Sequence, residues 1–393
     1  MQVQHGSRAS TTLDAVRALA AFVVLIGHAR NLFVVDYPEL LAAGGRPSAP
    51  LYGFYFVTSL GHQAVLVFFV LSGFFIGQAV LSRHAPGSRW SWSHYLVDRV
   101  SRLYVVLLPA LALTLLWDHL GATAMPSLYD GSYPANILNF AADTRHDAAT
   151  FLANATFLQT ITAPPLGTNG ALWSLANELW YYLLFPLALR VAVTRNQRER
   201  YLCLALFAGA ATLVGSEILL YFPVWLLGVA LNLLPIPRLA PRTRAVLPWA
   251  GGLAVLGALL LTRLRPGLLA DYVLAVAVFG WMYGAVAAPR ADAVASSRGA
   301  RLAVSAAAFS YTLYAVHVPF IVALRAFIGA APGEPLRRAP DAMALALLGG
   351  VTTAAIVFAW LVSRLTEART SSVRRALREL FRLRPAAAPA RRP

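Results

Sequence analysis

The apolar residues of this chain come in runs of roughly 20, the length a helix needs to cross the hydrocarbon core of a bilayer, and short arginine-bearing segments separate the runs. This pattern predicts an all-α fold, a polytopic integral membrane protein of about ten transmembrane helices. They are expected at 13–33, 60–81, 103–120, 173–192, 201–215, 217–234, 246–263, 268–288, 303–328 and 341–363. Almost no loop separates the fifth and sixth, so these two could equally form one broken pair. The chain then divides into an N-terminal segment (1–12), a transmembrane domain (13–363) and a basic tail (364–393). A basic start before an apolar core also describes a secretory signal, but the first run ends in Gly27-His28-Ala29-Arg30 with no small-x-small site, and it is expected to stay as the first span.

Composition supports the same class. The chain has 393 residues, 58% of them hydrophobic and only 13% charged, with a mean hydropathy of +0.61, far from the usual globular mixture. A net charge of +16 could suggest nucleic acid, but there is no lysine, and the arginines cluster between apolar runs instead of lining one face. That distribution reads as membrane topology and excludes a nucleic-acid partner. A single cysteine, Cys203, excludes an intramolecular disulfide and a cysteine metal site.

The arginines alternate from loop to loop. One set of connections holds Arg83, Arg89, Arg99 and Arg102, then Arg190, Arg195, Arg198 and Arg200, then Arg238, Arg242 and Arg244, then Arg290, Arg298 and Arg301. By the positive-inside rule this set, with both termini, is cytoplasmic, and the expected location is the cell's inner membrane. The basic tail reads first as a solvated anchor at an anionic leaflet. Two long segments, 34–59 and 121–172, fall on the opposite side. Loops of that length are usually functional or disordered; the second, rich in Tyr, Asn and Asp, would suit a carbohydrate-facing lid or a mobile surface loop. The sequon at Asn154 is too weak a pattern to carry weight.

Ionisable groups inside a span are costly and default to a functional reading. The first span, LDAVRALAAFVVLIGHAR, carries Arg17 and His28, about 16 Å apart along a helix and within about 20° of one face. In the second, Ser72 and Gly73 interrupt an aromatic run; close helix packing is the favoured reading and a slot for an acyl chain the alternative. Arg99 and Arg102, three residues apart, share a face and could clamp phosphate, although arginine is expected there on topology alone. Glu178 lies in WSLANE about one and a half turns into the fourth span, after Trp173 and Ser174, and needs a partner or water. The ninth span carries Ser310, Tyr311, Tyr314 and His317. Counting along the spans puts His28 roughly 22 Å and His317 roughly 24 Å from the cytoplasmic ends, and Glu178 roughly 8 Å from the other face. The expectation is an imidazole and carboxylate cluster in the outer half of the membrane above a basic cluster of Arg17, Arg99 and Arg102.

In that order, Arg17-x10-His28, FFVLSGFFI, Arg99-x-x-Arg102, WSLANE and FSYTLYAVHVP resemble the acyltransferase 3 family of integral membrane O-acyltransferases, which modify O-antigens, exopolysaccharides, Nod factors and macrolides. The resemblance implies about ten spans, an acyl-CoA donor, usually acetyl-CoA, and functional weight on Arg17, His28, Arg99, Arg102 and Glu178. Some members carry an additional SGNH-type domain; with only a short basic tail here, none is expected. The resulting expectation is His28 as general base, held by Glu178 or a tyrosine, on a hydroxyl of a glycan or glycosylated metabolite. Arg17, Arg99 and Arg102 would bind acyl-CoA, while Ser72, Gly73, Trp173, Ser174, Tyr311, Tyr314 and His317 would shape the acceptor or acyl pocket. No metal and no tightly bound cofactor are expected. An acyl-serine route through Ser72 or Ser174 is the lesser alternative, and a transporter or flippase of anionic or lipid-linked sugars the alternative of another class, though no internal repeat supports it.

Overall fold

The computed structural model describes residues 8–84, 90–235, 240–287, 297–329 and 337–383. Arg89, Arg238, Arg290, the first seven residues and the tail beyond 383 lie outside the described residues. The described chain forms α1 (Arg8–Phe33), α2 (Tyr37–Ala42), α3 (Ala49–Thr58), α4 (Gly61–Ser82), α5 (Trp92–Ala124), α6 (Ala148–Ala155) and α7 (Trp173–Val193). There follow α8 (Gln197–Leu231), α9 (Pro241–Leu264), α10 (Leu268–Ala287), α11 (Arg298–Ala307), α12 (Ser310–Ile328), α13 (Ala342–Leu365) and α14 (Thr370–Leu380). Among the described residues β-pairing is limited to isolated bridges, so the fold is all-α.

Eight of these helices are long and apolar enough to cross a membrane, against the ten expected. The difference lies in α7, long enough but carrying Asn177, Glu178 and Arg190, and in α8, where two expected spans are joined. Along α8, Glu199 pairs with Arg190 of α7, Ile218 accepts a hydrogen bond from Tyr181 at 2.7 Å, and Trp225 then lies against Tyr182 and Phe185. The partner on α7 moves from 190 to 181 and back again, so the chain reverses across Gly215. Its φ of 71° with ψ of −176° is a conformation open essentially to glycine alone.

The ninth expected span also divides, at Ala308–Phe309, into α11 and α12. The carbonyl of Ala307 at the end of α11 accepts from Ser310 Oγ at 2.9 Å and from the Arg17 guanidinium at 3.2 Å, which holds the break. His317 therefore sits only about 10 Å into α12, a correction to the depth expected from an unbroken span.

The segment 125–172 is neither a lid nor a mobile loop: it folds into the bundle. Leu128, Tyr133, Leu138, Phe157, Leu166 and Asn169 are all buried. Asp118 of α5, fully buried, anchors it by accepting from Thr168 N at 2.8 Å, Thr168 Oγ1 at 2.6 Å and His146 Nε2 at 2.9 Å. Phe157 and Thr160 take positive φ, and the Phe157 ring meets Tyr104, about 18 Å along α5 from its start, with centroids 5.4 Å apart. Irregular backbone is tolerated at membrane depth only where protein surrounds it. Asn154 is buried, with its amide held by Thr150 and Pro164 carbonyls, so the sequon is structural.

The aromatic run of α4 packs on the second half of α8 with no room at two glycines. A Cβ on Gly73 would lie 1.9 Å from the Trp225 carbonyl oxygen, and one on Gly228 would lie 2.0 Å from that of Val70. Gly73 thus serves close helix packing. Gly228→Ala must push the helices apart and is expected to cost about 1–3 kcal/mol. Gly257→Ala on α9, where a Cβ meets nothing within 4 Å, should be neutral or slightly stabilising. Thermal unfolding of the two variants in one detergent checks this; equal melting points would refute the backbone contact.

Candidate active site

A cavity of about 500 Å³ opens among α1, α4, α5, α7 and α12. It brings together nine residues singled out from sequence: Arg17, Ser72, Arg99, Arg102, Ser174, Glu178, Ser310, Tyr311 and Tyr314. His28, Gly73, Trp173 and His317 do not line it. Trp173 instead packs its ring on Phe69, with centroids 6.0 Å apart.

One end of the cavity is basic. Three-residue spacing on α5 directs Arg99 and Arg102 to one face, and α1 delivers Arg17 beside them. Arg17 pairs with Asp14 at 3.0 Å. Arg102 reaches Glu367 at 3.4 Å, whose other oxygen accepts from Thr312 N at 3.1 Å and Thr312 Oγ1 at 3.0 Å. Arg99 has no hydrogen bond or ion pair among the described residues; its guanidinium lies 5.8 Å from the Tyr95 ring centroid, and its Nε is buried without a partner. A cation walled by protein and lacking a counter-ion is costly unless an anion completes it.

Glu178 stands on the same wall. It accepts from Ser72 Oγ at 2.8 Å and from the Tyr182 hydroxyl one turn along α7, while Trp225 Nε1 donates to Ser72 Oγ at 3.2 Å. The carboxylate therefore belongs with the arginines and is not the partner of His28, which corrects the arrangement expected from depth counting. The physical reason is the re-entrant segment before α7. It starts that helix inside the bundle, with Asn169 bonded to Thr114 Oγ1 at 3.0 Å and to the Ala315 carbonyl at 2.9 Å.

The partner of His28 is His317. Their rings are nearly parallel with centroids 5.1 Å apart, and His28 Nδ1 lies 2.8 Å from His317 Nε2. His317 Nδ1 faces the carbonyls of Leu313 and Tyr314 at 3.0 and 2.9 Å, and since carbonyls only accept, this nitrogen carries the proton. In the neutral ring His317 Nε2 must then accept, which makes His28 Nδ1 the donor and leaves the lone pair on His28 Nε2. That nitrogen has no hydrogen-bond partner among the described residues, and His28 keeps partial exposure while His317 is buried. Two residues beyond His28, Arg30 is held by Asp36, which also receives Arg337 at 3.2 Å, so the outer end of α1 is fixed.

Tyr314 separates the two halves of the site. It lines the cavity, donates to the Ala171 carbonyl at 3.0 Å and so accepts from Ser174 Oγ at 2.7 Å, and meets Phe68 edge-on at 5.9 Å. On its other side its ring is 6.0 Å from that of His317. Sequence reasoning missed Tyr182 and Glu367. Tyr182 was visible as the i+4 neighbour of Glu178, whereas Glu367 carried only the weak signal of an acid directly after the last span. Among the described residues no group of three or more His, Cys, Asp or Glu side chains is placed to hold a metal ion.

Residues 11–364 match the family model Acyl_transf_3, described as an acyltransferase domain. Searches among curated proteins and among solved structures found no match. With nearly the whole bundle covered by the family model, the chain belongs to the acyltransferase 3 family of membrane acyltransferases.

Proposed function

We propose that this protein moves an acyl group, acetyl foremost, from acyl-CoA to a hydroxyl of a glycan, lipid-linked sugar or glycosylated metabolite. The observation that carries the reading is the unpartnered lone pair on His28 Nε2, fixed through His317, beyond a cavity whose other end holds an arginine without a counter-ion. Arg99, Arg102 and Arg17 bind the CoA phosphates, and the pantetheine arm extends along the cavity. A hydroxyl attacks the thioester carbonyl; its proton passes to His28 Nε2, the C–S bond breaks, and the proton leaves on the CoA thiol. A neutral imidazole with a free lone pair suits that transfer. His317 orients the base through its backbone-fixed proton. The thioester reaches His28 only when Tyr314, or the Phe68 ring against it, turns aside. The arginine end faces the cytoplasm of a cell whose inner membrane holds the protein, by the positive-inside rule.

A second reading rests on Ser72, whose hydroxyl donates to Glu178 at 2.8 Å inside the cavity. There the serine oxygen attacks the thioester carbonyl while Glu178 takes its proton, the C–S bond breaks, and the proton passes from Glu178 to the leaving CoA thiolate; the acceptor hydroxyl later attacks the acyl-serine ester and its proton returns to the serine oxygen. Acyl label that stays on the wild-type protein without acceptor and is lost in Ser72→Ala would favour this route.

For the main reading, His28→Ala and His28→Gln proteins that insert and fold should lose about 10²–10⁴-fold in turnover. Retained turnover in either would remove the base. Arg99→Ala should weaken binding of CoA and spare pantetheine, read by displacement of a labelled acyl-CoA; equal losses would assign Arg99 to the scaffold.

A further inference from the structure

The basic end of the cavity continues outward into a second cluster that the acyl-transfer chemistry above does not use. Asp98, on the turn of α5 before Arg99 and Arg102, is buried at 5% exposure. It receives Arg83 from the end of α4 at 2.5 Å and Arg378 from α14 at 2.7 Å, with Arg374 of α14 at 3.6 Å. Arg374 and Arg378 are one turn apart, so both project from one face of α14 onto α5. Both are only about one-third exposed, which departs from the solvated anchor expected of this tail.

Charge is unbalanced here. Three guanidiniums, of Arg83, Arg374 and Arg378, surround the single carboxylate of Asp98, because Glu367 is turned inward onto Arg102 and Thr312. Arg374 lies within electrostatic reach of Arg99 and Arg102. Each of the three, and Arg99 of the cavity near Arg374, also has a buried nitrogen without a hydrogen-bond partner among the described residues: Arg83 Nη1 and the Nε atoms of Arg374, Arg378 and Arg99. Unsatisfied buried donors with excess positive charge form a site for a compact, multiply charged oxyanion. The family model ends at 364, so α14 lies past the residues it matches.

We infer that Arg374 and Arg378, with Arg83, form a second phosphate subsite at the cavity mouth, which takes the 3′-phosphate of the CoA donor and so makes α14 a determinant of donor specificity. The inference rests on the acyl-CoA reading above. A CoA molecule carries two separate anionic groups, the diphosphate next to the pantetheine arm and the 3′-phosphate at the far, adenosine end. With the thioester in the depth of the cavity and the diphosphate at Arg99 and Arg102, the 3′-phosphate falls on the outer side, where α14 lies. A phosphate of an anionic lipid headgroup shares this chemistry and is the competing source.

The test compares binding of CoA, dephospho-CoA and pantetheine to protein in nanodiscs of phosphatidylcholine alone and of phosphatidylcholine with phosphatidylglycerol. In phosphatidylcholine the wild type should prefer CoA over dephospho-CoA by about tenfold or more, as removal of a charge-assisted phosphate contact implies. Arg374→Ala/Arg378→Ala should bring CoA down to the level of dephospho-CoA and leave dephospho-CoA unchanged. Arg374→Lys/Arg378→Lys, which keeps the charge and guards against misfolding, should keep most of the preference. Wild-type protein that binds CoA and dephospho-CoA equally would overturn the inference and leave the acyl-CoA reading standing; failure to bind either would sink that reading itself. A double alanine variant that loses both ligands in parallel, or that changes only the response to phosphatidylglycerol, would also overturn the subsite.

Discussion

The contact on which the site depends is the hydrogen bond between His28 of α1 and His317 of α12, set by the backbone of α12. The Leu313 and Tyr314 carbonyls hold the His317 proton on Nδ1, and the proton order of the pair follows from that one constraint. A lone histidine in a span can adopt either tautomer; one in this chain can offer its outer nitrogen only as an acceptor. The surrounding structure keeps the two rings in register: Arg17 ties α1 to the end of α11 at Ala307, and Asp36 with Arg337 ties its outer end. An imidazole fixed in this way needs no carboxylate beside it to set its tautomer, and Glu178 stands on the cavity wall.

The fold explains how charges come to face one another in an apolar bundle. Close approach of α4 and α8 at Gly73 and Gly228 presents Ser72 and Trp225 to Glu178, while the segment after Phe157 enters the bundle and sets the height at which α7 begins. The arginines are handled unequally: Arg17 and Arg102 have carboxylate partners, and Arg99 has none among the described residues. Cavity and histidine pair are adjacent but divided by Tyr314, held by Ser174 and the Ala171 carbonyl.

Much of this was legible in the sequence where the cost of burying charge is the signal. Arg17, Arg99, Arg102 and Glu178 all stand out against apolar runs, and the cavity collects all four. Their grouping was only half legible, because depth was counted from span ends taken to lie at the membrane surface. That fails for α7, which begins below the re-entrant segment, and for α12, which is cut off from α11 at Ala308–Phe309. The His28 and His317 pairing joins residues 289 positions apart and has no local signature. Gly73 was readable as a packing residue from its small size among aromatics. The docking of α14 was not readable, since Arg374 and Arg378 look like any basic tail until Asp98 is seen beneath them.

The central claim is the protonation order of the histidine pair, and ¹⁵N magnetic resonance of protein with labelled histidine in bilayers, assigned through His28→Gln and His317→Gln, measures it directly. The account predicts two neutral rings at neutral pH, both protonated at Nδ1, with His28 Nε2 bare and a coupling from His28 Nδ1 to His317 Nε2. A His28 ring protonated at Nε2, or one doubly protonated under those conditions, would contradict it.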